Sequence, residues 1–136
     1  MQLIKIDCPQ TTTCHGNVFL PKLVIFVKLY TGNYQLFEFI VDSGSDCTIV
    51  PKGMANLVGI LLPATPDTYM RDASGRSSPA YKGKLSVRLQ GETFDVRCLF
   101  TDFDTSPMLL GRLDFFDRYD IHFKGRKSSF EITKHI

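Results

Sequence analysis

The sequence predicts an all-β fold, a barrel or sandwich in which helix is a minor component, and three observations carry that expectation. Apolar and polar residues alternate with a period of two through the middle of the chain, turn residues recur at close spacing, and only two short segments read as helical.

The alternation is clearest where Leu85, Val87 and Leu89 interleave with Lys84, Ser86, Arg88 and Gln90, the pattern of a half-buried strand. After the turn Gln90-Gly91-Glu92 it resumes, with Phe94, Val96, Cys98 and Phe100 on one face and Asp95 and Arg97 between them, so the two segments read as a hairpin. An earlier hairpin follows the same logic: Leu23 to Tyr30, the turn Thr31-Gly32-Asn33, then Tyr34 to Val41, rich in aromatic and β-branched residues. Its second strand runs directly into Asp42. Pro51 to Gly59 suits one short helix, with proline near its start and glycine at its end. A second brief helix is expected from Arg112 through Arg118. A last hairpin pairs Tyr119 to Phe123 with Ser129 to Thr133 around Lys124-Gly125-Arg126-Lys127. No internal repeat, low-complexity tract or interdomain linker breaks the chain.

At 136 residues and 43% hydrophobic content, the expectation is one domain over residues 1–136, burying roughly two thirds of its unfolded surface. Lys and Arg number 16 against 14 for Asp and Glu; the resulting charge of +2 is too small and too dispersed to suggest a nucleic-acid partner. The most apolar stretch, Val18 to Tyr30, is interrupted by Pro21, Lys22 and Lys28 and falls short of the about 20 apolar residues a membrane helix needs. No membrane association is expected. The N-terminus lacks the features of a secretory signal, so a cytoplasmic location is the default. The four cysteines, Cys8, Cys14, Cys47 and Cys98, are irregularly spaced, and free thiols are expected rather than a disulfide framework. Cys8, Cys14 and His15 would supply three metal ligands, but no CxxC pair or HxxxH partner completes a set, so no metal is expected.

The chemically informative segment is Phe39-Ile40-Val41-Asp42-Ser43-Gly44-Ser45-Asp46-Cys47-Thr48-Ile49-Val50. An acidic residue emerges from an apolar strand and small, polar residues follow at once. A carboxylate at a buried strand end must be hydrogen-bonded, protonated or paired, which makes Asp42 a functional candidate. Read locally, it is equally an aspartate opening a turn completed by Ser43-Gly44.

Val-Asp42-Ser43-Gly44-Ser45 resembles the hydrophobic-Asp-Thr/Ser-Gly-Ala/Ser signature of retroviral-protease-like (retropepsin-type) aspartic proteases. Pro107-Met108-Leu109-Leu110-Gly111-Arg112 is similar to the apolar-apolar-Gly-Arg segment that follows in that family, and Leu113-Asp114-Phe115-Phe116 resembles its C-terminal helix. The similarity covers about 23–123, leaving a C-terminal hairpin extension at 124–136. It implies a retropepsin-like acid protease barrel with one or two short helices, active as a two-fold dimer, and an aspartic endopeptidase that needs no cofactor. Asp42 would be the catalytic aspartate. Ser43 would carry the hydroxyl that crosses the dimer axis, with serine in place of the commoner threonine. Gly44, within the active-site loop that ends at Ser45, would let substrate backbone approach. Asp46 would bind substrate main chain, Arg112 would pair with Asp46, and Gly111 and Arg112 would be structural support. Tyr69 to Ser78 would form the flap, with Ala73, Ser74 and Gly75 near the substrate; the family's flap tips hold several glycines and this one holds Gly75 alone.

Pepsin-like enzymes carry two Asp-Thr/Ser-Gly copies on a chain of more than twice this length, whereas here there is one, and Asp72-Ala73-Ser74-Gly75 is a near miss with the wrong spacing. The resemblance therefore implies a homodimer in which each subunit contributes one Asp42, acting on a peptide or protein substrate. Two alternatives stay open: a non-catalytic dimeric module that keeps the fold to bind peptides, and a fragment whose second aspartate comes from another domain.

Overall fold

The computed structural model describes residues 3–72, 74–102 and 108–134. The chain opens with β1 (Leu3–Asp7), β2 (Gln10–Thr13) and β3 (Gly16–Phe19), then forms the hairpin β4 (Lys22–Lys28) and β5 (Tyr34–Val41). After β6 (Thr48–Pro51) comes α1 (Gly53–Val58), followed by β7 (Thr68–Arg71), β8 (Ser77–Leu89), β9 (Glu92–Thr101), β10 (Met108–Leu110), β11 (Tyr119–Lys124) and β12 (Ser129–Lys134).

Period-two patterning does what it predicts. Leu23, Ile25 and Val27 of β4 point inward and are buried, as are Leu85, Val87 and Leu89 of β8 and Phe94, Val96, Cys98 and Phe100 of β9. The turn between β8 and β9 needs only Gln90 and Gly91, both with positive φ (51° and 79°), the backbone that matches a tight hairpin to strand twist. The helix is shorter than the sequence suggests, because Pro51 is the last residue of β6; Gly59, at φ 81°, ends it with its N–H on the carbonyls of Ala55 and Asn56.

The strands assemble in the order β4-β5-β10-β6-β9-β8-β7, and an extra pairing of β4 with β8 closes the first six into a barrel, leaving β7 as an appended edge. Two of the pairings, β10 with β5 and β6 with β9, are parallel. A second sheet, β1-β12-β11, joins the N-terminus to the final hairpin. Phe130 and Ile132 of β12 are fully buried in the main core, with Ile4 and Ile6 of β1 packed against them. An ion pair from Lys134 to Glu92 ties β12 to β9. All four cysteines are free thiols, and Cys98, in the barrel core, is pushed up to about 12 by burial. Among the described residues no helix is long and apolar enough to cross a membrane.

The expected helix at 112–118 is absent. Turns replace it: the N–H groups of Phe115 and Phe116 both reach the carbonyl of Arg112, and those of Arg118 and Tyr119 reach that of Phe115. The reason is Asp114, whose φ of 67° interrupts any helical ladder. That conformation aims its carboxylate at β9, where Asp114 takes the Arg97 guanidinium through both oxygens (2.9 Å each) and the Arg97 N–H (2.8 Å). Phe115 is buried beneath this turn, against Phe116 and Tyr119.

Arg97 holds the Asp114 carboxyl below the ordinary aspartate range. A depressed folded-state value stabilises the fold above the unfolded value, and the stabilisation fades as pH falls through the folded one. Asp114→Asn is therefore expected to lower stability at pH 7 by about 1 kcal/mol, a modest figure because Arg97 is largely exposed. Urea unfolding should show the gap between the two proteins closing in strong acid.

Candidate active site

The loop from Asp42 to Cys47 joins β5 to β6, yet these strands are not neighbours, because β10 lies between them. Leu110 pairs in parallel with Val41, while Leu109 pairs antiparallel with Ile49. The chain leaving β10 therefore passes directly beneath the loop. There the N–H of Asp42 donates to the Leu110 carbonyl (3.0 Å), Arg112 N–H to the Ser45 carbonyl (2.9 Å), and Leu113 N–H to the Asp46 carbonyl (2.9 Å). The Gly111 N–H reaches the buried Thr48 hydroxyl (3.2 Å).

Such close passage is open only to glycine. A Cβ on Gly111 would sit 2.2 Å from the Cys47 carbonyl oxygen and 2.3 Å from its carbon, both backbone atoms that cannot swing away. The Arg112 guanidinium pairs with the Asp46 carboxylate across the same seam, as the resemblance implied, although both side chains are well exposed.

Within the loop, Asp42 Oδ1 accepts the Gly44 N–H at 2.9 Å and the Asp42 carbonyl accepts the Ser45 N–H at 3.2 Å, while the Ser45 hydroxyl donates to the Cys47 carbonyl at 2.7 Å. These bonds turn the chain sharply after β5. Asp42 is half-buried rather than buried at a strand end, and Ser43 and Gly44 are exposed. Among the described residues no cation pairs with Asp42.

Asp42 opens into a cleft of about 550 Å³ that also touches Gly44, Ser45 and Asp46. Its floor is apolar. Leu109 of β10 pairs with Ile49 of β6, and Ile49 pairs with Leu99 of β9, so three half-buried side chains form one row across adjacent strands. Tyr69, Met70, Arg71 and Asp72, on β7 and just past it, form the opposite wall. The half-buried Cys47 also lines the cleft, its thiol pushed up by burial and by the neighbouring Asp46 charge.

Of the segment expected as the flap, Tyr69 to Ser78, the first four residues line the cleft opposite the floor, whereas the floor itself was not foreseen. Ser74 and Gly75 occupy the tip of the β7–β8 hairpin rather than the cleft wall, and Ala73 lies outside the described residues, as does Pro107. Ile49, Leu99 and Leu109 were missed, although each alternates with inward-facing neighbours: Thr48 and Val50, Cys98 and Phe100, Met108 and Leu110. The alternation shows that they face outward; only the register places them side by side.

A family model described as aspartyl protease matches residues 27–113, which span both the Asp42 loop and Gly111-Arg112. Among solved structures, a retropepsin-like aspartic protease from Rickettsia conorii superposes with a TM-score of 0.63 at 19% identity, covering 96% of this chain and 89% of that one. The EIAV protease complexed with the inhibitor HBY-793 superposes with a TM-score of 0.53 at 15% identity, covering 68% of this chain and 82% of the other. No match was found among curated proteins.

Backbone contact, not the ion pair, should hold the loop. Gly111→Ala is expected to destabilise the protein by about 3 kcal/mol or more, since the added methyl meets main chain, whereas Arg112→Ala should cost under about 1 kcal/mol because its pair is exposed. Paired thermal melts of the two variants check the contrast; similar losses would contradict it.

Proposed function

This chain belongs to the aspartyl protease family, and we propose that it is an endopeptidase whose active site forms only when two copies bring their Asp42 side chains together across a two-fold axis. The observation that carries this reading is the half-buried Asp42 at the mouth of an apolar cleft, with Oδ1 oriented by the Gly44 N–H and a single Asp-Ser-Gly loop in the chain.

One such carboxylate is not enough for peptide hydrolysis. Two at about 3 Å cannot both ionise and so hold one proton between them. The ionised member takes a proton from a water that attacks the scissile carbonyl, while the protonated member donates to the carbonyl oxygen. The tetrahedral species collapses as the amine leaves with a proton, and no acyl-enzyme forms. The row Leu109-Ile49-Leu99 offers an apolar surface to a substrate side chain, and an extended peptide fits between that floor and β7. Ser43 is exposed beside Asp42, and in the dimer its hydroxyl would bond the second copy's loop. Gly44 keeps the loop free of side-chain bulk where the peptide passes.

Asp42→Asn should lower the rate of cleavage of a peptide or unfolded protein by about 10³-fold or more while leaving the melting temperature close to the parent. Equal mixing of the parent and Asp42→Asn should reduce activity to about a quarter, the share of dimers with two intact carboxylates. A linear response, reaching one half, would mean that each chain works alone. Sedimentation across a concentration series gives the independent mass.

A further inference from the structure

The flap raises a question that its composition leaves open: how a tip with one glycine holds its shape beside the cleft. Between the end of β7 at Arg71 and the start of β8 at Ser77, the backbone closes with the Asp72 N–H on the Arg76 carbonyl (3.0 Å) and the Gly75 N–H on the Asp72 carbonyl (3.0 Å). Gly75, at φ 85°, supplies a left-handed residue to the turn. Three further donors converge on a single side-chain atom. Asp72 Oδ1 accepts the Ser74 N–H (3.0 Å), the Ser74 hydroxyl (2.6 Å) and the Arg76 N–H (3.0 Å).

Resting on the peptidase reading above, we infer that Asp72 is a positioning residue of the flap: its carboxylate ties Ser74 and Arg76 back to the end of β7, and thereby sets Tyr69, Met70 and Arg71 against the cleft before substrate arrives. Three features support this. Asp72 itself lines the cleft at the end of the β7 wall, so the turn it organises is continuous with the substrate surface. Among the described residues β7 has only β8 as a neighbour, and the pairing ends at Arg71 with Ser77, so no described strand beyond that pair fixes the tip. A charged acceptor shared by three donors forms stronger bonds than neutral ones, and it restrains residues that free backbone entropy would otherwise spread. The Ser74 hydroxyl, followed by the Arg76 N–H, holds the Asp72 carboxyl below the ordinary aspartate range, so the turn keeps its charged acceptor into mildly acidic conditions.

Preorganisation of this kind lowers the cost of ordering the flap on binding and leaves the chemical step alone. Its loss should raise KM without lowering kcat. Asp72→Ala removes the acceptor; Asp72→Asn keeps an oxygen able to take the same N–H groups. The expected result is a KM about tenfold higher for Asp72→Ala with kcat within about twofold, and a KM near the parent for Asp72→Asn. Amide hydrogen exchange at Ser74 and Arg76, measured on free protein, should accelerate in Asp72→Ala and not in Asp72→Asn. The exchange readout does not depend on turnover, so it judges Asp72 even if the protein cleaves no peptide, an outcome that would sink the peptidase reading alone. Unchanged exchange in Asp72→Ala, or equal effects of both variants on KM and exchange, would overturn the inference, as would a fall in kcat at constant KM.

Discussion

Strand β10 can lie between β5 and β6 because Gly111 brings no side chain against the Cys47 carbonyl. From that contact the rest of the site follows. With β10 in place, its outgoing chain supplies the N–H groups of Arg112 and Leu113 to the underside of the Asp42 loop and that of Gly111 to Thr48 just past it, and Leu110 supplies the carbonyl that fixes the Asp42 backbone. A loop of small residues would otherwise sample many shapes, and fixing it in one costs about 1–2 kcal/mol per residue. Here the barrel wall suppresses them, and the Asp42 side chain acquires one position and one hydrogen-bond partner.

The same segment shows how charge and backbone are coupled. Asp114 adopts a conformation that non-glycine residues seldom take, and the bidentate pair with Arg97 is what that conformation makes possible. A helix through 112–118 would turn the carboxylate away from β9. The chain instead makes a sequence of tight turns, buries Phe115 and anchors the stretch just past the loop's supports to the barrel.

The cleft combines two chemistries that seldom sit together on a surface. An apolar row across β10, β6 and β9 favours a side chain leaving water, while the half-buried Asp42 carboxylate beside it is held by the Gly44 N–H.

Much of this was legible in the residues. The alternation at Leu85–Leu89 and Phe94–Phe100 defined both strands and their inner faces, and Asp42-Ser43-Gly44 with Gly111-Arg112 marked the loop and its support. Local pattern determines which face of a strand is buried and where a turn falls, because both depend on neighbours a few residues away. It does not determine partners between strands far apart in sequence. The pairing of β1 with β12, the insertion of β10, the row Leu109-Ile49-Leu99, and the left-handed Asp114 were decided only by tertiary structure. Each depends on register between distant segments, which is set by how the whole core packs and by which backbones can approach, and no window of sequence contains that information.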